Sequence, residues 1–396
     1  MQLKRNVFHG LRNDQNSKTV SILLGPRQVG KSTLLRKLES DFKKQGLKTS
    51  FFDLEQPRDL ILFNKDDQEI IDFLKEQGDI VLIDEFHYLK NASKILKAIY
   101  DSHAQLKIYA SGSSSIEIHK HLKESMAGRK RTYRIFPLTF EECLPWNPSL
   151  ERFLIYGGMP GLVHETTDQD AQALLSEIVK SYILKDIRSL LKEENIRAFN
   201  HMLYFLAQNQ GSVISNASLA REIGLSVKAV HHYLSILKET FVVYILPSYS
   251  KNQANELKKS QKIYFYDLGI RNSLLQNFAP SHERSDRGLL YESFVLLNAM
   301  PKLEENMSIT FWRTRLGDEV DFILLKNRVP IPIEVKTNWV ENKIPDNLLK
   351  FISRYPETKT AFVISNHSFD CVTSGKTKVY FKSFLEFDSV WKIIGS

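Results

Sequence analysis

Apolar positions along the chain fall into two kinds of run. Val20 to Leu24 and Ile80 to Ile83 are short and largely apolar, as strands buried on both faces of a parallel sheet tend to be. Between and after them, apolar residues recur at helical spacing. Leu34, Leu35 and Leu38 predict a helix over Leu34 to Gly46, closed by Lys43, Lys44 and a glycine stop. Ile70, Ile71 and Leu74 predict one over Asp67 to Gln77, and Ile95, Leu96 and Ile99 one over Ser93 to Ser102. Lys48 to Leu54 and Leu106 to Ala110 read as further strands, and the mixed, basic residues 1–19 as a short helix and a polar turn. Strands alternating with helices predict an α/β class built on a parallel sheet.

The pattern then changes. Residues 151–195 read as helical, broken at Gly157 and Gly158, with an amphipathic helix from Leu174 to Leu191 marked by Ile178, Tyr182 and Leu184. Three helices follow: Phe199 to Ala207, Ser218 to Ile223 with a turn at Gly224, and a third marked by Val227, Val230, Leu234 and Leu237. Two strands come next, Phe241 to Leu246 and Lys262 to Tyr266. The last part reads as a helix (Leu289 to Leu297), two strands (Gly317 to Leu324, Ile333 to Lys336), a helix (Leu348 to Tyr355) and a strand (Thr360 to Ser365). The expected division is 1–150, 151–196, 197–268 and 269–396.

Composition narrows this little. With 396 residues, 42% apolar and 25% charged, the chain has ample core and no disordered signature. A net charge of +8 tolerates a nucleic-acid partner without demonstrating one. Cys143 and Cys371 stand far apart with no metal spacing, which suits a reduced, cytoplasmic setting. No secretory signal and no run long enough to span a bilayer is expected.

The chemistry starts at the end of the first strand. Gly25, Pro26, Arg27, Gln28, Val29, Gly30, Lys31, Ser32 and Thr33 spell a phosphate-binding loop between a strand and a helix. The glycines let the backbone approach phosphates. Lys31 is expected to reach the β- and γ-phosphates of ATP, and the Ser32 hydroxyl to ligate Mg²⁺. Asp84 and Glu85 close the second buried run. There Asp84 would hold Mg²⁺ through water, and Glu85 would orient or deprotonate the attacking water. Ser111 follows the Leu106–Ala110 strand. It is expected either to contact the γ-phosphate or its water, or to belong to a serine-rich turn capping a helix at Ile116. Arg129, in the basic run Gly128 to Arg134, is either solvated surface or an arginine finger for a neighbouring subunit.

These stretches, with Ala-Gly-Arg at 127–129, Phe-Pro-Leu-Thr-Phe-Glu-Glu at 136–142 and Tyr-Gly-Gly-Met-Pro at 156–160, resemble a large prokaryotic family of AAA+-type ATPases that carry a C-terminal domain of unknown function. Tyr264 to Gly269, Tyr291 to Val295 and Phe311 to Thr314 continue the match, so the resemblance covers nearly the whole chain. It implies an AAA+-type P-loop core with a helical lid, a winged helix and a restriction-endonuclease-like fold. Ser111 is a departure, since the family often has threonine there.

In a winged helix, Ser226, Lys228, His231 and His232 would face a DNA groove, and Lys251, Lys258 and Lys259 of the wing the phosphates. The alternative is a module that packs on the core or binds protein. Further on, Asp321, then Glu334 and Lys336 in Glu-x-Lys spacing, with Glu292 on the preceding helix, form the PD-(D/E)xK nuclease signature. Asp321 and Glu334 would hold Mg²⁺, Glu292 would complete the shell, and Lys336 would align or activate the water. Glu319 shares a face with Asp321. Pro330 and Pro332 demand a strand start or an edge, which counts against a buried metal site. Three readings follow: an ATPase coupled to DNA, the same with phosphodiester cleavage, or a nucleotide-dependent switch or scaffold for protein partners. A homo-oligomer is compatible with each, and a membrane partner with none.

Overall fold

The structure is a computed structural model and describes residues 5–102, 105–113, 126–181, 196–250 and 260–395. The chain forms two compact units: Met1–Leu138 with Met159–Gly161 and Ile236–Val242, and Thr139–Gly158, Leu162–Ser235 and Val243–Ser396.

The first unit is built on five parallel strands: β1 (Val20–Gly25), β2 (Thr49–Asp53), β3 (Ile80–Asp84), β4 (Lys107–Ser113) and β5 (Lys130–Arg134). Their order is β2-β3-β4-β1-β5. Every residue of β1 and β3 is buried, which is why those strands read as short apolar runs. The helix Lys31–Lys44 starts at the loop and buries Leu34, Leu35, Leu38 and Phe42. The helix Asp67–Lys75 is fixed at its start by a capping box, with Asp66 and Glu69 satisfying each other's backbone N–H. The helix Ala92–Asp101 buries Ile95, Leu96 and Ile99.

One expectation is corrected here. The fourth strand does not stop at Ala110; it runs to Ser113, so Ser111 is a strand residue and not part of a turn. Pairing with β1 carries it on, since Leu23, Leu24 and Gly25 oppose Ser111, Gly112 and Ser113. Small polar residues look like a turn locally, yet pairing with β1 makes them a ladder, while the ladder with β3 ends at Ala110. The expected helix at Ile116 lies outside the described residues.

In the second unit, the helix expected from Leu174 begins earlier, at Asp168, where the Thr167 hydroxyl accepts the Asp170 N–H. Tyr182 and Leu184 lie outside the described residues. Helices Ile196–Gln208, Asn216–Ile223 and Val227–Glu239 follow, the last belonging to this unit up to Ser235. Val227, read as part of the apolar stripe, is 51% exposed; the buried stripe is Val230, Tyr233, Leu234, Ile236 and Leu237. Strands β6 (Val213–Ile214), β7 (Val243–Pro247) and β8 (Gln261–Phe265) form an antiparallel sheet of order β6-β8-β7. Lys251, Lys258 and Lys259 lie outside the described residues.

The rest of that unit carries a mixed six-stranded sheet: β9 (Met307–Arg313), β10 (Glu319–Lys326), β11 (Val329–Val335), β12 (Thr360–Ser365), β13 (Phe369–Ser374) and β14 (Thr377–Ser383). The order is β13-β14-β12-β11-β10-β9. Here the proline expectation is corrected in part. β11 is an interior strand, not an edge. It pairs with β12 only from Ile333 onward, beyond both prolines. Neither ring therefore removes a rung of that ladder. Leu348, Phe351 and Ile352 of the helix Asp346–Arg354 share a core with Trp312, Val320, Ile323, Ala361 and Val363.

Candidate functional site

The register of the parallel sheet explains the first constellation. β4 lies between β1 and β3. Ile83 pairs with Ala110 and Leu23 with Ser111, so the carboxyl ends of three strands meet beside the loop. That end of an open α/β sheet is where ligands bind. Ser111 donates its hydroxyl hydrogen to Asp84 Oδ1. Ser32, at the start of the helix, also hydrogen-bonds the Asp84 carboxylate. Asp84 is 4% exposed, and burial raises its pKa although the two hydroxyls oppose the rise.

The loop is held shut by its own lysine. Lys31 is buried and donates to the carbonyls of Gly25 (3.1 Å) and Pro26 (2.7 Å). Desolvation lowers its pKa to about 8, against the pull of Glu85 and Asp84. The two glycines serve different ends. Gly30 sits at φ +85° with open space around a would-be Cβ, so its need is conformational. A Cβ on Gly25 would lie 2.1 Å from the Ile135 carbonyl oxygen, so its need is close approach of a neighbouring backbone. Val29 is fully buried, Arg27, Gln28, Ser32 and Thr33 are exposed, and Gln28 takes φ +61°.

Glu85 stands at φ +52°, ψ +47°, a left-handed conformation uncommon for a non-glycine residue. This turns the chain immediately after β3, and His87 Nδ1 comes to 3.0 Å from Glu85 Oε2. His87 had no signal in the sequence beyond its nearness to Glu85. Arg129 precedes β5 at the end where Val20 pairs with Lys130. It is therefore at the opposite end of the sheet from its own loop, and its Nε donates to Asp101 at 2.7 Å.

The second constellation lies in the C-terminal sheet. Phe322 opposes Ile333, which sets Asp321 beside Glu334 across β10 and β11. The β9–β10 ladder slips between Val320 and Ile323. Such a bulge re-aims a side chain, and Asp321 accepts the Val335 N–H at 2.8 Å. Glu334 is 2% exposed. Its Oε1 lies 2.7 Å from Lys336 Nζ, while its Oε2 is buried without a hydrogen-bond partner. Burial raises the pKa of Glu334, Glu292 and Asp321.

Glu292, on the helix Arg287–Ala299, feels the charge of Asp321 but makes its contacts with other groups. Its Oε2 accepts from the Tyr264 hydroxyl at 3.3 Å and lies 3.7 Å from Lys262 Nζ. Among the described residues no group of three or more His, Cys, Asp or Glu side chains is placed to hold one metal ion. Mg²⁺ needs only one or two protein carboxylates, and the orphaned Glu334 oxygen beside Asp321 suits such a cation. Sequence reading missed Lys262 and Tyr264, which alternation on β8 puts on one face.

On the third helix Lys228, His231 and His232 are exposed, and the Ser226 hydroxyl accepts the Ala229 N–H. No helix among the described residues is long and apolar enough to cross a membrane.

Three family models match consecutive stretches: an AAA domain over residues 17–144, a domain of unknown function (DUF8612) over 147–281 and another (DUF4143) over 287–383. The parallel five-stranded sheet with its loop is accordingly a P-loop ATPase fold of AAA type. The uncharacterized protein Rv2008c of Mycobacterium tuberculosis is 25% identical over 336 residues, covering 84% of this chain and 74% of its own. The uncharacterized protein MJ1544 of Methanocaldococcus jannaschii is 24% identical over 345 residues, covering 77% and 72%. Among solved structures, AMPPCP-bound DnaA from Aquifex aeolicus aligns with 59% of this chain and 86% of its own, at 14% identity and a TM-score of 0.32. Pif1 helicase from Candida albicans aligns with 45% and 48%, at 12% identity and a TM-score of 0.27.

Proposed function

We propose that this chain hydrolyses ATP with Mg²⁺ and acts on DNA through its C-terminal unit. The observation that carries the first half is the meeting of Ser32, Asp84 and Ser111 beside the loop closed by Lys31. Ser32 and Asp84 are the residues that would hold Mg²⁺, which when bound neutralises phosphate charge. Lys31 exchanges its loop carbonyls for phosphate oxygens. Glu85 positions the water that attacks the γ-phosphoryl group and takes its proton. Ser111 fixes the Asp84 carboxylate from the sensor strand. Arg129 acts only toward another copy of the chain, since β5 carries it away from its own loop.

For the second half, residues 197–268 are taken as a winged helix and 269–396 as a nuclease-like domain, with 151–196 as the lid of a core ending near 150. Asp321 and Glu334 would hold a divalent ion that supplies Lewis acidity, and Lys336 orients the water that cleaves a phosphodiester. Purified protein should hydrolyse ATP only with a divalent ion and nick duplex DNA. Asp321→Ala should end nicking and spare ATP turnover. Unchanged nicking would refute the second assignment.

One observation favours a second reading. Lys262 and Lys336 already pair with the carboxylates, as they would in a silent nuclease-like fold that binds protein. Duplex affinity separates the two, because phosphate contacts release counterions and weaken with salt. Salt-independent or absent DNA binding would leave the switch or scaffold reading.

A further inference from the structure

Strand β8 lies well before the acidic motif in sequence, yet it delivers two side chains to it. Lys262 is 2% exposed, with Nζ 2.6 Å from Glu319 Oε1 and 3.7 Å from Glu292 Oε2. Tyr264 donates to that same Glu292 oxygen. The Phe311 ring centre lies 5.5 Å from the ammonium. Burial lowers the Lys262 pKa, and the Glu292, Asp321 and Glu319 carboxylates more than offset that fall.

The cluster therefore divides into two halves. Glu292 and Glu319 face Lys262, and Arg313 Nη1 lies 3.1 Å from the other Glu319 oxygen. Two carboxylates meet one buried cation, Lys262, and one half-exposed cation, Arg313. Glu334 pairs with Lys336, whose side chain is 37% exposed, while Asp321 is drawn electrostatically to both Lys262 and Lys336. The Asp321–Glu334 half keeps a buried Glu334 oxygen with no hydrogen-bond donor.

We propose that Lys262 is a built-in cation filling the Glu292–Glu319 half, so that the centre takes one divalent metal ion, at Asp321 and Glu334, and not two. This rests on the metal-centre reading of the C-terminal sheet given above. Lys262 holds charge where a second ion would otherwise sit, and its stem is locked by burial, so it does not exchange with solvent ions. Glu292 is then a partner of Lys262 and Tyr264 and not a metal ligand.

The test counts Mn²⁺ ions bound per full-length chain by electron paramagnetic resonance, without nucleotide and with Asp84→Asn present to silence the loop site. One ion is expected, and adding Asp321→Asn should reduce it to none. Lys262→Met and Lys262→Gln should each raise the count from one to two, whereas Lys262→Arg should leave it at one; thermal melts verify that each variant is folded. Two ions with Lys262 intact would overturn the inference without any variant at that position. So would a count that stays at one in both neutral variants. A count that Asp321→Asn does not lower would instead overturn the metal-centre reading beneath it.

Discussion

Glu85→Gln isolates the base from everything else at the ATPase site. Glutamine has nearly the same volume, accepts a hydrogen bond and can adopt the same left-handed turn, but it cannot take a proton. Asp84 keeps its bonds to Ser32 and Ser111, and Lys31 keeps its loop carbonyls. A positioned general base contributes roughly 10² to 10⁴ in rate, or about 3 to 5 kcal/mol on the barrier. The Glu85 side chain is 19% exposed and adjoins His87, so bulk water substitutes poorly for it. Phosphate release at saturating ATP should fall at least about a hundredfold. Binding of a fluorescent ATP analogue should change by less than about 1 kcal/mol, a factor of about five. Turnover within about threefold of the unsubstituted chain would refute the assignment of the base. Lost binding would instead mean that Glu85 holds the loop together.

Gly25→Ala forces a methyl group against the Ile135 carbonyl, whose own N–H is tied to the Leu24 oxygen at 2.7 Å. Overpacking of this kind costs about 1–3 kcal/mol, and the melting temperature should fall by several degrees. Gly30→Ala meets open space and bears only the left-handed backbone penalty, about 1 kcal/mol; if it proves the more damaging of the two in a thermal melt, the packing argument fails. Asp267 gives a pH signature. It is fully buried, and desolvation raises its pKa from 3.8 to about 6 against the N–H groups of Gly158, Ile270 and Gly269. A folded-state pKa above the unfolded one means that the folded chain binds more protons. This stability is present in full below pH 3.8 and is lost as pH rises through about 6, on the order of 3 kcal/mol. Asp267→Asn should flatten that slope in urea unfolding between pH 4 and 7; an unchanged slope would place the titration elsewhere.

The P-loop core was largely legible because its signals are local. Val20 to Leu24 and Ile80 to Ile83 are buried on both faces and read as such, and the loop follows in contiguous residues. What escaped was set by pairing at a distance. Ser111 looks like a turn until β1 is seen to pair with it. Pro330 and Pro332 look like an edge until β12 is seen to begin pairing at Ile333. β6 is two residues long, too short for any periodicity. Glu292, Asp321 and Glu334 were recognisable by spacing. That Glu292 turns toward Lys262 and Tyr264 depends on where β8 lies, which no spacing in the acidic motif encodes.

The central claim is that residues 25–33 hold the phosphates of ATP. Calorimetric titration of ATP with Mg²⁺ into the full chain and into Lys31→Ala tests it directly. Loss of a charge-assisted contact worth about 1.5–3 kcal/mol should weaken binding by roughly tenfold or more, while Asp321→Asn leaves it unchanged. Equal affinity in the Lys31→Ala chain would contradict the claim.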